Sequence, residues 1–426
     1  MILTIKPSDI FGSVYIQISK SDTHRALIAS FLADGESVLK PWMEDVGIDI
    51  TATKEAVSIF ADFKSEKDCL KVIPKNKNIN NITIDVKESG SSLRLLIPVV
   101  SALGINAKFI GSKKLFSRPL EIYKKIWLKQ GLTFDLKEDS LTVEGKLKSG
   151  DFIVEGNISS QFISGLLFAL PLLDGDSKIT IEGELESAPY VMMTLKTLKS
   201  AKIETSKHAD NNIDNNIIEV FGHQKYSPIN YEIEADWSHA AFFAAAGALG
   251  GEVTLYGLNK YSIQGDKEIL NILKFMGALI VNNDDSSITI KRISRLNALD
   301  IDIINIPDLA PVIVALASTA KGTTKLYNAK RLRYKESDRI NDLKDSFNKI
   351  GAKITSTENE IYIEGVEKLI GGKTSSYNDH RIAMALCVAS AVCDNNIIID
   401  DAASINKSSF NFIEQFRSIG AKMKEE

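Results

Sequence analysis

One pattern of apolar and polar positions recurs along the chain: an amphipathic stretch of helical period, a Gly or Ala that ends it, a short strand, a polar turn and often a second alternating strand. It reads Trp127-Leu-Lys-Gln-Gly131-Leu-Thr-Phe, Leu198-Lys-Ser-Ala201-Lys-Ile, Phe275-Met-Gly277-Ala-Leu-Ile, Asn348-Lys-Ile-Gly351-Ala-Lys-Ile and Arg417-Ser-Ile-Gly420-Ala-Lys-Met, with a weaker copy ending near Ala61. Gly suits the left-handed position that ends a helix. The strands that follow alternate, as in Ser140-Leu-Thr-Val-Glu and Ser287-Ile-Thr-Ile-Lys. The spacing of about 70 residues predicts six βα-containing units, each too small to bury its helix alone and therefore stacked on its neighbours. Six such units divide into two α/β globules of three, each near the usual domain size, and two halves imply a cleft. The Asn-rich run at residues 211–216 reads as a loop tip, and the stretch from Tyr226 to Asp236 as a crossing between halves.

A length of 426 residues fits two to three domains, and 44% hydrophobic with 25% charged residues is ordinary globular composition. The 51 Lys and Arg against 55 Asp and Glu leave a net charge of −4, which argues against generic nucleic-acid binding. Any cationic site must therefore be local. Cys69, Cys387 and Cys393 form no Cys-x-x-Cys pair, so neither a disulfide framework nor a zinc ribbon is indicated. The start shows no basic segment followed by an apolar one, and the most apolar stretch, from Ala240 to Gly250, is too short for a membrane span. A cytoplasmic location is expected.

The charged and hydroxyl-bearing residues fall almost wholly where helical patterns begin. Lys20 and Ser21 precede a stretch that includes Arg25, and Gly90 and Ser91 one that includes Arg94. Ser159, Ser160 and Gln161 open another helix, as do Ser187 and Tyr190. Asp308, the run from Lys335 to Arg339, the trio Asp379, His380 and Arg381, and Lys407 stand before the others. Each Ser or Asp taken singly is an ordinary N-cap. Taken together, with Lys or Arg at most of the same places, they build an anion site from unpaired N–H groups and positive dipole ends.

These segments resemble those of the 5-enolpyruvylshikimate-3-phosphate synthase family. The resemblance runs the whole length, in the same order, through Ser19-Lys20-Ser21-Asp-Thr-His-Arg25, Glu88-Ser-Gly90-Ser-Ser-Leu-Arg94, Ser117-Arg118-Pro119, Ser159-Ser160-Gln161, Ser187-Ala-Pro189-Tyr190, Ile306-Pro307-Asp308, Lys335-Glu336-Ser-Asp338-Arg339 and Asn378-Asp379-His380-Arg381. It implies a two-domain inverse αβ barrel, enolpyruvyl transferase-like, with three of the six repeated units per domain. One domain would comprise residues 1–18 plus 229–426 and the other residues 19–228, with the active site in the cleft between them. It implies transfer of the enolpyruvyl group of phosphoenolpyruvate to the 5-hydroxyl of shikimate 3-phosphate in the shikimate pathway, with release of phosphate and without metal or organic cofactor. A monomer that binds neither nucleic acid nor membrane is expected.

Carried over by position, the resemblance makes Lys20, Ser21, Arg25, Ser159, Ser160, Gln161, Ser187, Tyr190, Asp308 and Lys335 the shikimate 3-phosphate contacts. It makes Lys20, Gly90, Arg118, Gln161, Arg339, Arg381 and Lys407 the phosphoenolpyruvate contacts. Two phosphates and two carboxylates call for this many cations, since Arg and Lys hold such groups with charge-assisted bonds. The chemistry needs a base for the attacking hydroxyl and an acid for the methylene carbon, and Asp308 and Glu336 are assigned to these, with Lys20 as proton donor to departing phosphate. Cations around Asp308 favour its ionised form, whereas Glu336 must hold a proton when needed.

The chain departs from the family pattern at Gln17-Ile18, where Pro-Gly is usual, at Glu88 and Arg331, where Asn is common, and at Asn411, where Pro is frequent. Two rivals stay open: the related UDP-N-acetylglucosamine enolpyruvyltransferase, whose loop Cys near the position of Arg118 is missing here, and a non-catalytic, clamp-like nucleic-acid-binding scaffold. Other signals are bland. Gly372-Lys373-Thr374 mimics the end of a P-loop, but Glu367 stands where the first Gly must fall. His24, His208, His223, His239 and His380 lack ligand spacing. Cys387 and Cys393 read as small core residues in a helix, and Trp42, Trp127 and Trp237 as packing.

Overall fold

The computed structural model describes residues 1–206, 216–284 and 286–426; the run read as a loop tip, apart from Asn216, and His208 lie outside them. The chain divides into two compact units, Met1–Ser19 with Glu234–Glu426, and Lys20–Ile233. Among the described residues each unit carries three small open sheets.

In the unit of residues 20–233 one motif is laid down three times: a buried helix, a parallel strand, a second helix, then antiparallel strands. The buried helices are Lys20–Leu32, Gly90–Ala102 and Ser160–Ala169, and nearly every residue in them is inaccessible. Such helices are buried all round because they face neighbours on every side, and most of the polar residues they carry gather in their first two turns. The second helices are Ile48–Val57, Glu121–Lys129 and Ala188–Ser200, which bury one face each. Strand Asn230–Glu232 then returns to pair in parallel with Ser37–Lys40, which joins the end of the unit to its beginning.

The other unit repeats the scheme with buried helices Trp237–Gly250, Ala310–Ala317 and His380–Ala389. The apolar stretch from Ala240 is the first of these, and among the described residues no helix is long and apolar enough to cross a membrane. The opening strands complete two of its sheets. Leu3–Lys6 lies between Ile397–Asp400 and Lys422–Glu425, and Ile10–Tyr15 pairs in parallel with Gly251–Tyr256. Ile and Leu on the inward faces of these strands join one continuous core with the three helices.

The helix-ending glycines behave as their pattern predicts. Gly131, Gly277, Gly351 and Gly420 all have φ between 73° and 105°. Where Ala201 stands in their place, the following Lys202 takes the left-handed conformation at φ 59°. The P-loop mimic is a strand, Gly372–Ser375, paired with Ile397–Asp400. Cys387 is buried in its helix; Cys393 lies one residue past the helical segment Ser390–Val392, with burial pushing its thiol up to about 12. Trp42, Trp127 and Trp237 are all buried.

Candidate active site

In the unit of residues 20–233, the chemistry-bearing side chains sit at or near the starts of its helices. Lys20 is the first residue of its helix, and its Nζ lies 2.8 Å from Asp49 Oδ2. Asp49 occupies the first turn of the helix Ile48–Val57, so one helix start supplies the ammonium and another the carboxylate that holds it. Ser89 caps the helix Gly90–Ala102 by accepting from Ser92 N–H, and Ser159 caps Ser160–Ala169 by accepting from Gln161 N–H. Gln161 ties these two helices together. Its Nε2 donates to Ser91 Oγ at 2.9 Å and its Oε1 accepts from Arg94 Nη1 at 3.0 Å.

Gly90 faces two guanidiniums. A Cβ there would lie 2.8 Å from Arg118 Nη1 and 3.2 Å from Arg94 Nη1. The missing side chain leaves room for two guanidiniums beside a helix N-terminus, an arrangement that attracts a small anion. Arg118 Nε is buried without a hydrogen-bond partner among the described residues.

Arg25 is 4% exposed and serves the protein first. Its guanidinium donates to Ser21 O, Thr194 Oγ1, Ser164 Oγ and Tyr190 O. Burial pulls it down to about 10, against the pull of Asp22, Tyr190 and Tyr231. It thereby fixes Tyr190 relative to Ser21. Ser187 precedes the helix Ala188–Ser200 in a left-handed conformation, φ 58°. For a residue with a Cβ that backbone is strained, a feature that clusters at functional sites.

The other unit centres on Asp308, in the turn Pro307–Leu309 ahead of the helix Ala310–Ala317. Its Oδ1 accepts from Lys335 Nζ at 3.2 Å and Arg339 Nη1 at 3.0 Å, and its Oδ2 from Arg381 Nη2 at 3.0 Å. Arg339 is fully buried and also donates to Glu336 Oε2 at 2.7 Å and to both oxygens of Asp379. Burial works to lower its pKa, but Asp379, Glu336 and Asp308 outweigh it and the net shift is upward. Burial draws Lys335 down to about 8; Asp308 opposes this, and Arg331 and Arg339 add to it.

Asp379 caps the helix His380–Ala389 through Arg381 N–H, so one carboxylate orders both the Arg381 backbone and the Arg339 side chain. Five charged side chains, Lys335, Arg339, Arg381, Glu336 and Asp379, thus converge on Asp308 or its partners, all drawn from helix starts or the turns before them.

Lys407 departs from the expected position. The sequence pattern puts it directly before a helix, but it closes the helical turn Ala402–Lys407, and the next α-helix starts at Phe412. It gains nothing from an α-helix N-terminus there; its Nζ donates to Asn378 O at 3.0 Å, beside the Asp379 to Arg381 group. Asn411, not Pro, precedes that helix and does not cap it. Gln17, one of the departures from the family pattern, takes a definite role: it donates to Ser408 O and accepts from Ser409 Oγ, holding the loop after Lys407.

Asp49 has no place in the sequence reading, which takes Arg94 and Asp379 as members of the charged helix starts but not as substrate contacts. Asp379 stands in the Asn-Asp-His-Arg motif and Arg94 one helical turn after Gly90, so both had a local signal. Asp49 had none, because its link to Lys20 spans 29 residues.

The chain is thus a two-unit α/β protein whose helices present cations, hydroxyls and carboxylates at their starts. A family model for EPSP synthase (3-phosphoshikimate 1-carboxyvinyltransferase) matches residues 5–416, and the chain belongs to that family. It is 70% identical to the 3-phosphoshikimate 1-carboxyvinyltransferase of Brachyspira hyodysenteriae over 99% of this chain and 100% of that one. It is 43% identical to the Clostridium perfringens protein of the same name, over 99% of each chain. An EPSP synthase structure from Acinetobacter baumannii shares the fold, with TM-score 0.80 at 24% identity and complete coverage of both chains.

Proposed function

We propose that the chain carries out the family's reaction, moving the enolpyruvyl group of phosphoenolpyruvate to the 5-hydroxyl of shikimate 3-phosphate and releasing phosphate through a tetrahedral ketal. Lys20, Ser21, Arg25, Ser159, Ser160, Gln161, Ser187, Tyr190, Asp308 and Lys335 act on shikimate 3-phosphate, and Lys20, Gly90, Arg118, Gln161, Arg339, Arg381 and Lys407 on phosphoenolpyruvate. The observation that carries this reading is the Asp308 carboxylate with Lys335, Arg339 and Arg381 on its two oxygens. A hydroxyl entering among those cations would meet a carboxylate able to take its proton and donors able to hold the anions on either side.

Asp308 is the base toward the 5-hydroxyl. Glu336, three residues before Arg339, passes a proton to the methylene carbon and takes it back when the ketal collapses. The Arg339 bond favours the Glu336 anion, so Glu336 must gain its proton as substrate charge draws Arg339 away. Lys20 protonates the leaving phosphate; the same competition applies, since a phosphate dianion would displace Asp49 from its ammonium. The three thiols suit a reducing cytoplasm, and the chain acts as a monomer.

Phosphate release, measured with phosphoenolpyruvate and either shikimate 3-phosphate or UDP-N-acetylglucosamine as acceptor, tests the reading. Release with the first alone supports it. Release with the second, or with neither, overturns it.

A further inference from the structure

Behind Lys20 and Gly90 runs a continuous line of buried polar side chains that no step of the reaction uses. His24, one turn after Lys20, brings its Nδ1 to 2.7 Å from Thr53 Oγ1. Thr53 Oγ1 lies 2.5 Å from Ser92 Oγ, and Ser92 Oγ donates to Ser89 Oγ at 2.7 Å. Ser89 is the cap of the helix that opens with Gly90, and Thr53 stands one turn after Asp49, the partner of Lys20. All four side chains are buried.

The proton positions follow from counting donors. The Ser92 hydroxyl proton is committed to Ser89, so the short Thr53–Ser92 contact must carry the Thr53 proton; Asp49 O, at 3.3 Å, is the poorer acceptor for it. Thr53 then has only a lone pair for His24, and His24 must donate from Nδ1–H. That leaves Nε2 bare, and Nε2 is buried with no hydrogen-bond partner among the described residues. A second proton there would be an unsatisfied buried donor near Lys20 and Arg25. Burial, followed by those two cations, accordingly holds the imidazole well below its ordinary value.

We infer that His24 is a positioning residue for the transfer reaction: as the neutral Nδ1–H tautomer it locks, through Thr53 and Ser92, the spacing between Lys20 and the Gly90 helix start that receives phosphoenolpyruvate. The helix Ile48–Val57 is the spacer, gripping Lys20 through Asp49 and the Gly90 helix through Thr53. This rests on the proposed function for the identity of the anion, but the line of bonds does not.

Two measurements test it. Histidine-selective 15N spectra, with the His24 signal assigned from His24→Asn, should show a neutral Nδ1–H ring that does not titrate between pH 5 and 8; an Nε2–H ring, or ordinary titration, would overturn the inference. In steady-state kinetics, His24→Leu should raise KM for phosphoenolpyruvate about tenfold while changing that for shikimate 3-phosphate less than about threefold, the scale expected when a supporting group is loosened. His24→Asn, whose amide N–H can stand where Nδ1–H stands, should restore most of the loss. Thr53→Val removes the middle of the line while leaving His24 in the sequence and should reproduce the Leu effect, which keeps the test alive should His24→Leu not fold. Unchanged KM values, or an equal rise in both that Asn does not relieve, would contradict the role. A wild-type chain without turnover would instead count against the proposed reaction, and the tautomer would then decide this inference alone.

Discussion

Arg339 Nε lies 2.7 Å from Asp379 Oδ2, and both side chains are 0% exposed. An isolated guanidinium at such depth is untenable, so Asp379 is what allows Arg339 to sit behind Asp308 and Glu336. Asp379→Asn should destabilise the protein by about 3 kcal/mol, the low end for breaking a buried pair, because Asp308 and Glu336 remain as partners. Urea unfolding followed by circular dichroism measures this; a change within experimental scatter would contradict it. The same pair sets an acid limit. Burial alone would raise the Asp379 pKa, but Arg339 outweighs it and the net shift is downward. A carboxylate lowered in the fold stabilises fully above the unfolded value of about 3.9 and loses that contribution as pH falls below it. Asp379→Asn should therefore flatten the acid side of the stability profile.

Gly90→Ala would press a methyl group against Arg118 Nη1. The guanidinium can swing aside, so the fold should survive, but the cation moves off the helix start. The expected result is a KM for phosphoenolpyruvate raised about tenfold, the size of one charge-assisted bond, with that for shikimate 3-phosphate nearly unchanged. Equal effects on both substrates would place Gly90 and Arg118 elsewhere in the chemistry.

Lys335 sets an alkaline limit for anion binding. Its ammonium is drawn down to about 8 in the unliganded chain, chiefly by burial. Below that pH it is already charged and affinity for shikimate 3-phosphate should be flat. Above it, binding must take up a proton, and affinity should fall up to tenfold per pH unit until the value in the complex is passed. Lys335→Arg, charged throughout, should abolish the decline. Calorimetric titration between pH 7 and 10 measures both.

Much of this arrangement was legible because it is local. The glycines at 131, 277, 351 and 420 mark helix ends through their own conformational freedom, and a Ser or Asp beside a Lys or Arg marks a helix start through capping chemistry. What the sequence could not supply is partnership at a distance. Nothing near Asp49 announces Lys20, and nothing near Thr53 announces His24 or Ser92; those pairings exist only once the helices are packed. Lys407 shows the opposite failure. Its neighbours read as a helix start, yet the chain forms a short helical turn ending at that residue, and its amine turns to the Asn378 carbonyl.

In the proposed reaction Asp308 is the base held among three cations. Phosphate release by Asp308→Asn, at saturating phosphoenolpyruvate and shikimate 3-phosphate, tests this most directly. Asn keeps the size and one acceptor oxygen but cannot take a proton, so kcat should fall at least about a hundredfold, the smallest contribution usual for a general base. Turnover within a few-fold of the parent would contradict the assignment.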